Sequence, residues 1–266
     1  MNTQVTKLFD NIWQNYLDVT PSAEKIHQLL GSGTDLINDH VAYRTFNIEK
    51  VGIDKLAQHL VSLGYKECGE YHFEAKKLYA KHFEHSDKTL PKVFISELIV
   101  EAFSPEVQKI IHSLVNSLDD AIISQQDFLF SGKQWQLTLE DYQTLLNESE
   151  YAAWLAAWGY RANHFTVSIN HLNNYDNIEE VNQALKLAGF HLNNTGGEIK
   201  GDSNVKLEQS STIADKMIVK FSNASLEIPS CFYEFAKRYP TQSGELYSGF
   251  VAASADKIFE STNAAA

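Results

Sequence analysis

Cysteine is nearly absent from this sequence: two occur in 266 residues, Cys68 and Cys231. They lie far apart, fit no sequence spacing typical of zinc or redox motifs, and are expected to be free thiols in a reducing compartment. Long apolar runs are missing as well. No stretch approaches the roughly 18 to 20 residues that span a bilayer, and residues 1–7 lack the apolar segment of a secretory signal. Positive charge is scarce. Lys plus Arg number 22 against 34 Asp plus Glu, a formal net charge of −12, and no basic run occurs. Nucleic acid and anionic membrane surfaces repel such a chain, so neither is expected as a partner. What remains is an ordinary globular balance, 44% hydrophobic and 21% charged, expected in the cytoplasm as one large or two small domains. The ten histidines direct attention to a metal site.

Residues 1–36 read as helices. Val5, Leu8, Phe9, Ile12, Trp13 and Leu17 keep helical spacing, and Pro21 opens a second segment carrying Ile26, Leu29 and Leu30. Residues 37–103 change character. A strand is expected at 40–46, a helix at 53–63 stopped by Gly64, and strands at 71–73, 78–83 and 93–100. Residues 104–160 form a helical insert whose apolar stripes, Trp154 and Trp158 included, read as core. Residues 161–240 return to β character, with a strand at 164–169, a helix at 178–187 stopped by Gly189, and strands at 205–208, 217–221 and 232–236. In residues 241–266, Ile258 and Phe259 are expected to anchor the segment and residues from Ser261 onward to fray.

The two β-rich stretches repeat each other. Gly64 follows His40 by 24 residues, and Gly189 follows His164 by 25. Each then runs through three strand-like pieces and closes near a glutamate, Glu97 in the first and Glu234 in the second. The fold class is therefore α+β: two β-α-β-β-β modules form a curved, barrel-like sheet around a cavity, with helical additions at the N-terminus and between the modules. A strand-opening histidine and a last-strand glutamate both face the cavity if the period-two parity holds.

Four motifs in chain order carry a resemblance. They are Asp39-His40-Val-Ala-Tyr-Arg44-Thr-Phe46, Phe94-Ile-Ser-Glu97-Leu, Tyr160-Arg-Ala-Asn163-His164-Phe and Glu227-Ile-Pro-Ser-Cys-Phe-Tyr-Glu234-Phe-Ala-Lys-Arg238. With them the chain resembles the vicinal oxygen chelate superfamily and, more narrowly, the DUF1338 family, which includes 2-oxoadipate dioxygenase/decarboxylases. The resemblance implies an Fe(II) site of two histidines and one glutamate, mapping to His40, His164 and Glu234. Glu234 opens a Glu-x-x-x-Arg ending similar to that of 4-hydroxyphenylpyruvate dioxygenase. Glu227 is its rival, and Pro229 argues that Glu227 lies outside that strand. No organic cofactor is implied. Two imidazoles and a carboxylate on one face of a divalent ion leave three cis positions, two for the carboxylate and keto oxygens of a 2-oxo acid and one for O2. Mn, Co, Ni or Zn fit the same donors.

The resemblance also maps a substrate-binding arginine onto Arg44. Four residues after His40 on one strand, it shares that histidine's face, and its planar fork suits a carboxylate. A structural partner for a carboxylate of the module is the alternative. Glu97 reads as a vestigial ligand, an acceptor for a ligand histidine, a substrate contact or a solvated strand residue. Gln209, Ser210 and Ser211 occupy an expected cavity strand, as substrate contacts or as ordinary pleat residues. His82 and His85 read as surface, and Tyr43 as packing. The activity implied is oxidative decarboxylation of 2-oxoadipate with O2 to 2-hydroxyglutarate and CO2. The rivals are a redox-neutral metal lyase, isomerase or hydrolase on the same scaffold, and a non-catalytic binder.

Overall fold

The computed structural model describes residues 3–33 and 35–263. Helices α1 (Thr3–Leu17) and α2 (Pro21–Gly31) open the chain. The first module follows as β1 (Asn38–Phe46), α3 (Ile53–Val61), β2 (Lys66–Phe73), β3 (Leu78–Glu84) and β4 (Lys92–Leu98). The insert carries α4 (Pro105–Asn116), α5 (Asp120–Ile123), α6 (Leu139–Glu148) and α7 (Glu150–Trp158). The second module holds β5 (Ala162–Ser168), α8 (Ile178–Leu187), β6 (Lys200–Asp202), β7 (Leu207–Ser211), β8 (Lys216–Lys220), β9 (Ser225–Pro229) and β10 (Phe232–Arg238), and α9 (Ala252–Ile258) closes the order.

Eight strands make one curled sheet in the order β2-β3-β4-β1-β5-β10-β7-β6. The modules join where β1 runs antiparallel to β5. On either side of that seam the relation is the same: β4 lies parallel to β1, and β10 parallel to β5. Each parallel pair needs a long crossover, which the helix and the intervening strands supply. The repeat read from the sequence is thus a structural repeat about the β1–β5 seam.

The second module departs from the expected pattern. The stretch expected as a strand at 217–221 leaves the sheet, and β8 pairs only with β9 in a separate hairpin. In β8 only Val219 is buried, while Lys216, Ile218 and Lys220 are exposed, so the segment lacks the two apolar faces of an interior strand. The strand expected at 205–208 lies at Leu207–Ser211.

Helices cover the convex face. Trp13 of α1 meets Phe165 of β5 edge-on and Tyr16 meets it at a tilt, and α3 and α8 pack over β4 and β7. The concave face is filled from two directions. Helix α7 is apolar all round and buried from Tyr151 to Trp158, as a helix enclosed on every side must be. It ends at Gly159 (φ +68°), where a Cβ would lie 2.2 Å from the Gly132 carbonyl oxygen, so only glycine fits. The second filler is the C-terminal segment of Phe250, α9 and the 3-10 turn Phe259–Thr262. Ser261 and Thr262, expected to fray, are buried there. Residues 264–266 lie outside the described residues. With both faces covered, β1 is buried from Asp39 to Phe46 despite carrying Asp, His and Arg.

Candidate metal centre

Register places the candidate ligands. His40 pairs with Thr166 on β5, Thr166 with Glu234 on β10, and Glu234 with Ser211 on β7, forming one row across four strands. His164 stands two residues from Thr166 on the same face, opposite Ala42. His40, His164 and Glu234 are all buried, and one ligand atom from each lies within 4.8 Å of the others. The carboxylate of Glu234 sits 3.6 Å from Nε2 of His40 and 3.1 Å from Nε2 of His164.

Each histidine is oriented through its other nitrogen by the residue before it. Nδ1 of His40 is 2.8 Å from Oδ1 of Asp39, and Nδ1 of His164 is 3.0 Å from Oδ1 of Asn163. Asn163 Oδ1 can only accept, so Nδ1 of His164 carries the proton. An ionised Asp39 imposes the same tautomer on His40. Both Nε2 lone pairs then point at the carboxylate, the pattern by which proteins hold metal-binding imidazoles. Asp39 is itself gripped by Arg238, whose Nε and Nη2 donate at 2.6 and 2.8 Å. Burial alone would raise the Asp39 carboxyl; Arg238 and His40 reverse this and hold it well below the usual carboxylate range. Burial likewise opposes ionisation of Glu234, and the two histidines outweigh it. Burial lowers the pKa of His164, which keeps its lone pair available.

The donor set fits a divalent cation. Oε2 of Glu234 is buried without a hydrogen-bond partner, and two imidazole lone pairs converge on the same carboxylate. Gln209 donates to Oε1 of Glu234 at 2.6 Å, and Thr166 Oγ1 lies 3.1 Å from Nε2 of His40. A cavity of about 20 Å³ remains between these groups and the aromatic wall of Phe94, Phe250 and Phe259.

Arg44 shares the concave face with His40. It is buried, its rings of contact being Tyr151, Trp154 and Phe259. Its Nη1 donates to both oxygens of Glu150 at 3.2 and 3.3 Å, and Nη2 donates to Thr262 Oγ1 at 2.8 Å. Nε is buried without a partner. Gln209 and Ser211 also face inward, Ser211 against the hydroxyl of Ser261. Ser210 does not: it donates to Asn182 of α8 on the convex side.

Glu97 is placed elsewhere. Its carboxylate accepts from the Ile53 N–H at the start of α3, where a negative charge meets the positive helix end. The sheet register explains the difference. Glu234 neighbours Thr166, two residues after His164; the matching neighbour of Ala42, two after His40, is Phe94. Phe94 is therefore the counterpart of Glu234, and Glu97 lies three residues on, with the opposite parity. Glu227 is exposed on the β9 hairpin, away from the centre. His82, expected at the surface, is buried at 2% exposure. Asp39, Asn163 and Arg238 were in the motifs but carried no assigned role. The signal for Asp39 and Asn163 is an acceptor preceding the histidine in both repeats; Arg238 has no such local signal.

The sequence matches the family described as 2-oxoadipate dioxygenase/decarboxylase over residues 2–245. The chain belongs to that family. A chloroplastic 2-oxoadipate dioxygenase/decarboxylase of Arabidopsis thaliana is 35% identical over 275 residues, covering 93% of this chain and 74% of the relative. A crystal structure of the hydroxyglutarate synthase from Oryza sativa in complex with 2-oxoadipate is similar at a TM-score of 0.93 and 33% identity, covering 98% and 92% of the two chains. A crystal structure from Shewanella frigidimarina NCIMB 400, described as a hydrolase, is 61% identical at a TM-score of 0.91, covering 94% and 98%. Membership makes the chain an enzyme of a dioxygenase/decarboxylase family, which suggests a metal, and the buried His-His-Glu group has the donors to hold one.

Proposed function

We propose that this chain binds Fe(II) through His40, His164 and Glu234 and converts 2-oxoadipate and O2 to 2-hydroxyglutarate and CO2. The observation that carries the reading is the convergence of two Nε2 atoms on one buried, underpartnered carboxylate, in a chain of this family. The atoms balance: one oxygen of O2 ends in the new carboxylate and the other in the hydroxyl. Fe(II), when bound, would supply oxygen activation and chelation of the 2-oxo acid. The protein's own groups do the rest. Asp39 and Asn163 fix the two rings, and Gln209 holds Glu234 to one rotamer. Phe94, Phe250 and Phe259 keep water out.

Arg44 is the cation proposed for the substrate's distal carboxylate. In this structure Glu150 and Thr262 occupy its fork, as surrogate acceptors that a dicarboxylate would displace. The cavity of about 20 Å³ is room for about one water, so access requires the C-terminal segment to move. An open cleft of about 330 Å³, lined by Lys76, Lys77, Glu150, Phe259 and Glu260, abuts that segment and offers the route. Lys76 and Glu260 form the ion pair that latches it.

The test is product identity from the Fe(II)-loaded protein with 2-oxoadipate. Arg44→Lys keeps the charge but loses the bidentate fork, so its KM is expected to rise on the order of tenfold or more, with a smaller change in kcat. An unchanged KM would make Arg44 purely structural. Chemistry without oxygen consumption would favour the hydrolase description carried by the Shewanella relative. A cytoplasmic location remains our proposal, supported by two unpaired thiols.

A further inference from the structure

A second group of ligand-type side chains converges outside the centre. Cys68, His82 and Glu84 bring a thiol sulfur, an imidazole nitrogen and a carboxylate oxygen within 4.8 Å of one another. The β2–β3 hairpin builds this group. The pairing shifts between Glu67 and Gly69, leaving Cys68 as the extra residue of a bulge. Bulges re-aim the side chain they carry. His82 and Glu84 are two apart on β3 and share a face. Gly69 lies opposite His82, and a Cβ there would stand 3.0 Å from the imidazole, so the glycine makes room for the ring.

The histidine is already oriented as a ligand would be. Its Nδ1 is 2.9 Å from the Tyr71 hydroxyl, and its Nε2 is 3.2 Å from Oε1 of Glu84. Tyr71 also accepts the Phe250 N–H at 3.1 Å. Without a cation, Tyr71 donates to Nδ1, and Nε2–H donates to Glu84. With one, the tautomer reverses: Nδ1–H donates to Tyr71, and the Nε2 lone pair turns to the metal. Glu84 is anionic, the hydrogen bond from His82 being the largest cause that brings its pKa down to about 2. Lys88 reaches its other oxygen at 2.7 Å, but that lysine is exposed and leaves Oε1 to His82. Cys68 is exposed, and its thiol donates only to the Lys66 carbonyl.

We propose that Cys68, His82 and Glu84 form a second metal site that takes a thiophilic divalent cation of the zinc class, with water as the fourth ligand. Sulfur, nitrogen and oxygen donors with one open position suit Zn²⁺ and disfavour Mg²⁺ or Ca²⁺. The His-His-Glu centre has no sulfur, so the outer site differs from it in favouring the more thiophilic ions. The outer ion would also brace Tyr71 and, through it, Phe250, whose ring lies 4.8 Å from that of His40.

The test is cobalt titration of the full chain. Cys231 is fully buried and its sulfur faces the Ala162 carbonyl, so a thiolate-to-cobalt charge-transfer band in the near ultraviolet reports Cys68 alone. The expected result is such a band, with the intensity of one thiolate-bound cobalt per chain and saturating by two cobalt added, the other ion occupying the sulfur-free centre. Cys68→Ser should abolish it while a sulfur-free cobalt remains bound. Glu84→Gln should move the titration midpoint by at least about tenfold. No band in the unmodified protein, a band surviving Cys68→Ser, or an unmoved midpoint in Glu84→Gln would overturn the site. None of these outcomes touches the iron reading, which uses no sulfur.

Discussion

His164→Ala is expected to lose its metal and its turnover together while the sheet stays folded. The ring is one of the three proposed ligands, so its removal should cost more than the 10–100-fold in affinity typical of losing a supporting hydrogen bond. Neighbouring side chains offer no second imidazole: Ser210 faces the convex side, the Phe232 ring that stacks on the imidazole is apolar, and Gln209 and Thr166 bring only neutral oxygens, weaker donors than the ring they would replace. The fold should survive because the Nδ1 hydrogen bond of His164 goes to the side chain of Asn163 and β5 keeps both neighbours, β1 and β10. Metal content after dialysis, read beside the far-ultraviolet circular dichroism of both proteins, checks this. A variant that retains one metal per chain and full turnover would remove His164 from the ligand set.

Arg238→Met is expected to produce the largest loss of stability. The guanidinium is buried, donates twice to Asp39, and donates again to the carbonyls of Tyr247 and Gly249. Methionine fills much of the volume but leaves an uncompensated carboxylate in the interior. Breaking one partner of a buried pair costs about 3–5 kcal/mol, which for a chain of this size lowers Tm by roughly 10 °C. Its sign with pH follows from Asp39. The folded carboxyl titrates well below its unfolded value near 3.8. The stabilisation it contributes is present above that value and is lost as pH falls through the folded pKa. The unfolded carboxyl is common to both proteins, so the gap should be full at pH 7. It should begin to shrink as pH falls through the orphaned carboxyl's pKa, which burial without Arg238 raises, and go on shrinking towards the lower folded pKa of native Asp39. Asp39→Asn combined with Arg238→Met removes the orphaned charge and should recover part of the loss. The single variant should also bind metal about 10–100-fold more weakly, because the Asp39 that orients His40 is no longer held. Thermal melts at pH 7 and in acid, with metal titration at pH 7, check both parts; an unchanged Tm would contradict them.

The centre was legible because the fold repeats. His40 and His164 head equivalent strands, and symmetry about the β1–β5 seam brings them to one face. Glu234 was legible from its closing motif. Glu97 lies near the end of its module as Glu234 does, but register, not closeness, decides which side chain faces inward. The Asp39–Arg238 pair bridges strands 199 residues apart, and no local pattern encodes such a partner. Nor did sequence show that Ser261 and Thr262 fold back onto the concave face. Short polar residues near a chain end read as fraying, yet Thr262 accepts from the buried fork of Arg44 and Ser261 meets Ser211. The β8–β9 hairpin departs from the expected sheet for a related reason. Its strand propensity is real, but only one buried side chain in β8 cannot sustain an interior position.

The most direct test of the central claim is oxygen consumption. The chain would be loaded anaerobically with Fe(II), transferred to air-saturated buffer, and followed at an oxygen electrode with CO2 capture as 2-oxoadipate is added. The account predicts one CO2 released per O2 consumed, 2-hydroxyglutarate as product, and neither gas exchange nor product from His164→Ala. Stoichiometric Fe(II) bound at the centre, with no oxygen consumed when 2-oxoadipate is present, would contradict it.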